Sequence, residues 1–251
     1  MTPEERNSFK ILVRAYFDCV QDRIDLDGML GVKKNGELKK NIPERDNVLL
    51  IPLVDYRDGR EELGKELLKQ ITEGISKEPL WEHFFKHVKG VGPSIAAVIL
   101  CEFDIERAVT VSNMWSFAGL APGKDKKVKG KKCTYNQFLR SKLCGVLGSS
   151  FLKSKSQPYS MFYYNEKTRL ENSDNMVKEY PRKADHKKGE DPKERMVKWR
   201  DAYPDHRHKA ATRKMIKEFL KHLYIAWREL EGLPVREPYS EEYLGKIHKA
   251  A

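Results

Sequence analysis

Apolar residues recur at three- and four-residue steps over long stretches of this chain. Within 4–30 the stripe is Phe9, Leu12, Val13, Tyr16, Phe17, Val20, Ile24 and Met29. Within 60–77 it is Leu63, Leu67, Leu68, Ile71 and Ile75, and within 206–231 it is Met215, Ile216, Phe219, Leu220, Leu223, Trp227 and Leu230. That period puts the apolar residues on one face of a helix, whereas a half-buried strand would need strict alternation. The expected fold class is therefore all-α. No internal repeat that would mark a solenoid is visible.

The first domain, residues 1–79, reads as a helical hairpin with the pattern of a dimerising coiled coil. Its two helices are joined by a polar loop at 31–47 that holds two glycines and a proline. Gly64 and Gly74 interrupt the second helix with poor helix formers. The short apolar run Val48–Val54, followed by Asp55, resembles a strand ending in a carboxylate, although Pro52 interrupts it. A second domain spans 80–232. It contains the segment FFKHVKGVGPSIAAVILC at 84–101, a further helix at 134–152, another at 159–170 and the last helix at 206–231. Residues 171–205 are polar, mixed in charge and contain prolines, and are expected to be a mobile excursion. Residues 233–251 form a short tail.

The balance of charge narrows the partners. With 48 Lys and Arg against 37 Asp and Glu, the formal net charge is +11. A surplus of that size favours a polyanionic partner. No apolar stretch reaches the ~18 residues of a membrane span. The start, MTPEERNSFK, has no signal-peptide core, so a cytoplasmic location is expected. Cys19, Cys101, Cys133 and Cys144 include no CxxC pair, which argues against a disulfide framework or zinc fingers. His206-x-His208 lacks matched ligands for a metal, and no cofactor is expected.

Three segments carry the candidate nucleic-acid contacts. The first, Val88-Lys89-Gly90-Val91-Gly92-Pro93, fits a helix–hairpin–helix turn. Glycine permits the tight bend, Pro93 is tolerated in the first helical turn, and free N–H groups at a helix start can hold a phosphate. The same turn also serves as a plain packing hairpin. The second segment is the loop from Gly123 to Cys133, with Lys124, Lys126, Lys127, Lys129, Lys131 and Lys132 against one acid. Lysines act as point charges on phosphates and carry little sequence information. A solvated loop is the alternative. Tyr135, Asn136, Gln137, Arg140 and Lys142 follow, where amides beside an aromatic suit unpaired bases or ordinary helix capping. In the third segment, Arg207, His208, Lys209, Arg213, Lys214 and Lys217 crowd the first half of the last helix.

The order of these pieces resembles a known module. GVGPSIAAVIL, SNMWSFAGLAPG, a basic loop, FLRSKLCGVLGSS and HKAATRKMIKEFLKHLY are together similar to the C-terminal domain of the RNA-guided insertion-sequence transposases that use a serine nucleophile. The resemblance covers about 80–232 and is anchored by Gly90, Gly92, Ala96, Phe117 to Pro122 and His208 to Ala211. It implies a helical nucleic-acid-binding domain. Two departures stand beside it. No set of strands and carboxylates for the family's RuvC-like nuclease fits before Leu80. The loop that should carry the nucleophilic serine has no serine or threonine from Gly123 through Cys133, and lysine cannot form the ester that serine would. Ser141, Ser149 and Ser150 lie in the next helix.

Those departures resemble the nuclease-free proteins of the tandem interspaced guide RNA systems (TIGR-Tas), which are related to the same transposases and to Nop domains. That resemblance implies a short guide RNA and a target DNA selected by pairing; the helical hairpin at 1–79 is expected to build a homodimer, and the missing nuclease and loop serine are expected to leave no enzyme activity. The competing expectations are a transposase subunit with an atypical nucleophile, such as Ser149, and a DNA-binding remnant without a guide.

Overall fold

The computed structural model describes residues 2–32, 37, 44–123, 130, 132–181 and 194–236. Its elements are overwhelmingly helical, as the periodicity requires, and the chain divides into two compact units. One unit comprises Met1–Phe85 with Gly92–Asp104, and the other Lys86–Val91 with Ile105–Ala251.

The first unit is built on two long helices, α1 (Pro3–Leu30) and α2 (Glu44–Ile75). Thr2 and Glu5 form a capping box at the start of α1, with Pro3 in its first turn. Gly31, left-handed at φ 63°, ends it. The pairings Asp27–Arg57 (2.8 Å) and Asp22–Arg60 show that the helices run antiparallel. Their seam closes where side chains are small: a Cβ on Gly64 would lie 3.6 Å from Cys19, and one on Gly74 would enter the Phe9 ring. The glycines that weaken helix propensity thus occupy the points of closest packing. Helix α4 (Pro93–Glu102) packs on both. Ile95 through Glu102 are all buried, and the Glu102 carboxylate meets Lys10 at 3.1 Å and Arg14 at 2.8 Å.

The expectation of a strand at Val48–Val54 is corrected: these residues lie inside α2, which runs through Pro52 and begins within the expected loop, at Glu44. A short apolar run has no period of its own, so length decides its state. Val48, Leu49 and Ile51 are exposed there.

The second unit gathers its core around α9 (Pro204–Leu230), whose buried stripe runs Ala211, Thr212, Met215, Ile216, Phe219, Leu220, Leu223, Tyr224, Trp227 and Arg228. Helices α5 (Val111–Phe117), α7 (Gly148–Ser154) and α8 (Tyr159–Glu171) pack on it. Phe151, Tyr159 and Phe219 form an aromatic cluster with ring centroids 4.7–5.4 Å apart. Between α6 (Gln137–Ser141) and α7 the backbone widens into a π-helical turn, Lys142–Leu147.

The all-α expectation has one exception. Within 171–205, β1 (Met176–Glu179) pairs antiparallel with β2 (Arg195–Lys198). The buried Glu179 carboxylate fastens this ribbon to the start of α9. It accepts from Arg195 (2.9 Å) and from the Tyr203 backbone N–H (2.8 Å). Polar composition hides such a ribbon, because its ladder is held by main-chain bonds and by ion pairs such as Glu179–Arg195 and Lys178–Glu194 rather than by an apolar face.

Gly119 sits in the segment Phe117 to Pro122 with φ +68°, and a Cβ there would come within 2.5–3.0 Å of the Tyr135 ring. Substituting alanine at Gly119 combines left-handed strain with overpacking. The expected loss is about 2–3 kcal/mol in urea unfolding at unchanged m-value.

Candidate nucleic-acid interface

The glycine turn is tight for a local reason. The Val91 N–H donates to Val88 O (3.1 Å), and Gly90 takes φ 96°. What precedes it is short: α3 (Pro79–His83) and a single 3₁₀ turn, Phe85–His87. Gly92 is the N-cap of α4 and Lys89 is exposed. The Ser150 hydroxyl donates to Gly90 O at 2.7 Å, and a Cβ on Gly90 would strike Ser154, Phe151 and Ser150. Ser150 therefore braces the turn. Ser149, exposed, shares with Lys153, Ser154 and Gly145 the rim of an open hollow of about 700 Å³.

Of the lysine loop, Lys124, Lys126, Lys127, Lys129 and Lys131 lie outside the described residues, whereas Lys132 is described and exposed. The start of α6 divides the two roles open to its amides. The Asn136 side chain accepts from Leu139 N–H at 3.0 Å and caps the helix, while Gln137 is exposed. Tyr135 lies under the Arg140 guanidinium (5.0 Å), and Lys142 stands over the Phe138 ring (5.2 Å).

The basic residues of α9 separate by position around the helix. The Arg207 guanidinium turns back to the carbonyls of Ala202 (2.6 Å) and Arg200 (2.8 Å) and anchors the preceding turn. Lys214 pairs with Glu218 at 2.6 Å. Lys217 lies 4.2 Å from the Trp115 ring centroid, and burial, then Lys214 and Arg213, push its ammonium below the usual lysine range. His206 faces Glu179 at 3.3 Å and His208 faces Tyr163 at 2.7 Å, so the two histidines have different partners.

Arg140, His208, Lys209 and Arg213 converge. With Cys144, Gly145 and Thr212 they line one cavity of about 220 Å³. Helix α6 and the π-helical segment supply one wall and the first half of α9 the other, each at four-residue steps: Arg140 and Cys144, His208 and Thr212, Lys209 and Arg213. Burial raises the Cys144 thiol against the pull of Arg140 and Arg213, so it stays neutral at physiological pH and adds no negative charge. A concave site with three permanent cations suits a phosphate. The cations stand out in the sequence, whereas Tyr163, Cys144, Gly145 and Thr212 do not. The signal for Tyr163 is only an aromatic-rich stretch, which serves a core equally well.

Residues 82–163 match the family model described as Transposase IS116/IS110/IS902 family. This segment is similar to that family. The match begins before the glycine turn and ends at Tyr163, so it covers the π-helical wall of the cavity but not α9. No curated protein and no solved structure matches the chain. The expectation of a protein without enzyme activity is corrected by this match: the family is one of transposases, and a loop lacking serine does not show that activity has been lost. No helix among the described residues is long and apolar enough to cross a membrane.

Proposed function

We propose that this chain is a transposase-related protein that binds nucleic acid through its second unit, using a short guide RNA to select its DNA target. The observation that carries the reading is the convergence of Arg140, His208, Lys209 and Arg213 on one cavity. Helices α6 and α9 bring together cations that lie about 70 residues apart in the chain. They would hold the strand, while the lysine loop adds sequence-independent attraction. Base pairing within the guide would read the sequence, as in other guided effectors. The antiparallel α1–α2 hairpin would pair two copies.

The transposase match supports a second reading, DNA strand transfer by the same protein, with exposed Ser149 beside Lys153 as the hydroxyl placed for it. A covalent DNA adduct that disappears on replacing Ser149 would identify that activity.

The binding reading is tested by changing all six loop lysines to alanine. For every phosphate of a single strand that the variant no longer neutralises, the slope of log affinity against log salt should fall by about 0.7. An unchanged slope, with no defined short RNA copurifying, would sink the guided reading.

A further inference from the structure

We infer that the cavity between the π-helical turn and α9 holds a single phosphodiester group of the bound strand, and that His208, positioned by Tyr163, hydrogen-bonds that group. The inference rests on the nucleic-acid-binding reading above and deepens it.

The cavity is small for a whole cofactor. Its volume of about 220 Å³ lies below the ~300–1,000 Å³ of ordinary small-molecule sites. Among the described residues its lining brings three permanent cations and no Phe, Tyr or Trp ring. Arg140 and Arg213 approach from opposite walls, and guanidinium groups match the paired oxygens of a phosphate. Among the described residues no carboxylate belongs to the lining; Asp205 pairs with Lys209 at 3.6 Å from the exposed rim. Gly145 keeps the wall open: a Cβ there would meet nothing within 4 Å. Gly145 belongs to the wide π-helical turn, and such turns recur at functional sites.

Tyr163 distinguishes this pocket from a patch of surface charge. The residue is 5% exposed, and burial pushes its phenol above the usual tyrosine range, so it keeps its proton. Its oxygen lies 2.7 Å from His208 Nδ1, and the two rings meet edge to face at 5.5 Å. Thr212 Oγ1 donates to His208 O at 2.9 Å and steadies the backbone of the same residue. The inferred arrangement has the phenol donating to Nδ1, which puts the imidazole proton on Nε2. That nitrogen is then a donor for a phosphate oxygen. Tyr163 is a positioning residue, because it acts through the imidazole.

The test is a methylphosphonate scan of a single-stranded oligonucleotide, one neutral linkage at a time. Wild-type protein should show one position where neutralisation weakens binding about tenfold, the loss of one charge-assisted hydrogen bond. Gly145→Leu adds a side chain to the cavity wall at a position where a Cβ meets nothing within 4 Å. It should weaken binding of the unmodified strand by a similar factor and make that position indifferent. The double variant Arg140→Gln/Arg213→Gln should do the same. Tyr163→Phe should move the His208 ring ¹⁵N resonances away from the Nε2–H tautomer, a change that loss of packing alone does not produce. Folded Gly145→Leu protein with wild-type affinity and an unchanged scan would overturn the inference while leaving the general reading intact. If wild-type protein binds no oligonucleotide at any salt, both fail.

Discussion

Arg228→Ala is expected to lower stability by about 3–5 kcal/mol. The arginine is 4% exposed, and its guanidinium donates to the carbonyls of Pro234 (2.7 Å), Ile105 (3.0 Å) and Ala108 (3.1 Å). It also lies 5.6 Å from the centroid of the Tyr224 ring. Each hydrogen bond to a charged donor is worth about 1.5–3 kcal/mol, and the three carbonyls would be left buried with fewer donors. The segment 105–108 and the end of α9 share this one side chain. Tyr224 adds a second tie nearby, its hydroxyl donating to Val109 O at 2.7 Å. Arg228→Lys should recover only part of the loss, because an ammonium lacks the planar fork that spans separate carbonyls. Urea denaturation of both variants measures the difference. A loss below about 1 kcal/mol for the alanine variant would show that water replaces these bonds at no cost.

Removing the charges of Lys10 and Arg14 from Glu102 is expected to have a comparable effect in the first unit. Its side chain is 2% exposed, with Lys10 at 3.1 Å and Arg14 at 2.8 Å, and both cations are themselves partly exposed. Changing both to methionine preserves the stems that cover α4 but removes the charges. Breaking a buried pair by removing one side costs about 3–5 kcal/mol, because the remaining charge stays buried. Thermal unfolding of the double variant at neutral pH measures the deficit. Adding Glu102→Gln to the double variant should restore much of the stability, which separates the charge from the shape of the site.

Charge and packing meet differently in the two units, and this governs what can be read from the amino acids alone. The stripes Phe9 to Met29, Leu63 to Ile75 and Met215 to Leu230 announce three of the long helical segments because amphipathic periodicity is a local property. The glycine turn announces itself too, since φ 96° at Gly90 leaves few other residues suitable. The run Val48–Val54 is illegible. Its state depends on continuity with α2 over 32 residues, not on its own composition. The pairing of β1 with β2 is illegible for a related reason: its anchor is one buried carboxylate, Glu179, met by groups 16 and 24 residues away.

Among the basic residues, identity is legible but employment is not. Arg207 and Arg213 look alike in the sequence HRHKAATRKMIK. They stand on different sides of α9, so one holds carbonyls and the other lines a cavity. Asn136 likewise looks equally suited to a base or to a cap, and the structure gives it the cap.

By itself the sequence determined the helical class, the cationic surplus, the tight turn and the order of motifs that resembles a transposase module. Each of these depends on composition or on spacing within a few residues. Tertiary structure alone decided that α2 is continuous, that Glu102 and Arg228 are buried charges, that Arg140, His208 and Arg213 share one cavity, and that Tyr163 backs it. Those facts depend on which helix faces meet, and the meeting of residues tens of positions apart follows from packing the whole chain rather than from any local pattern.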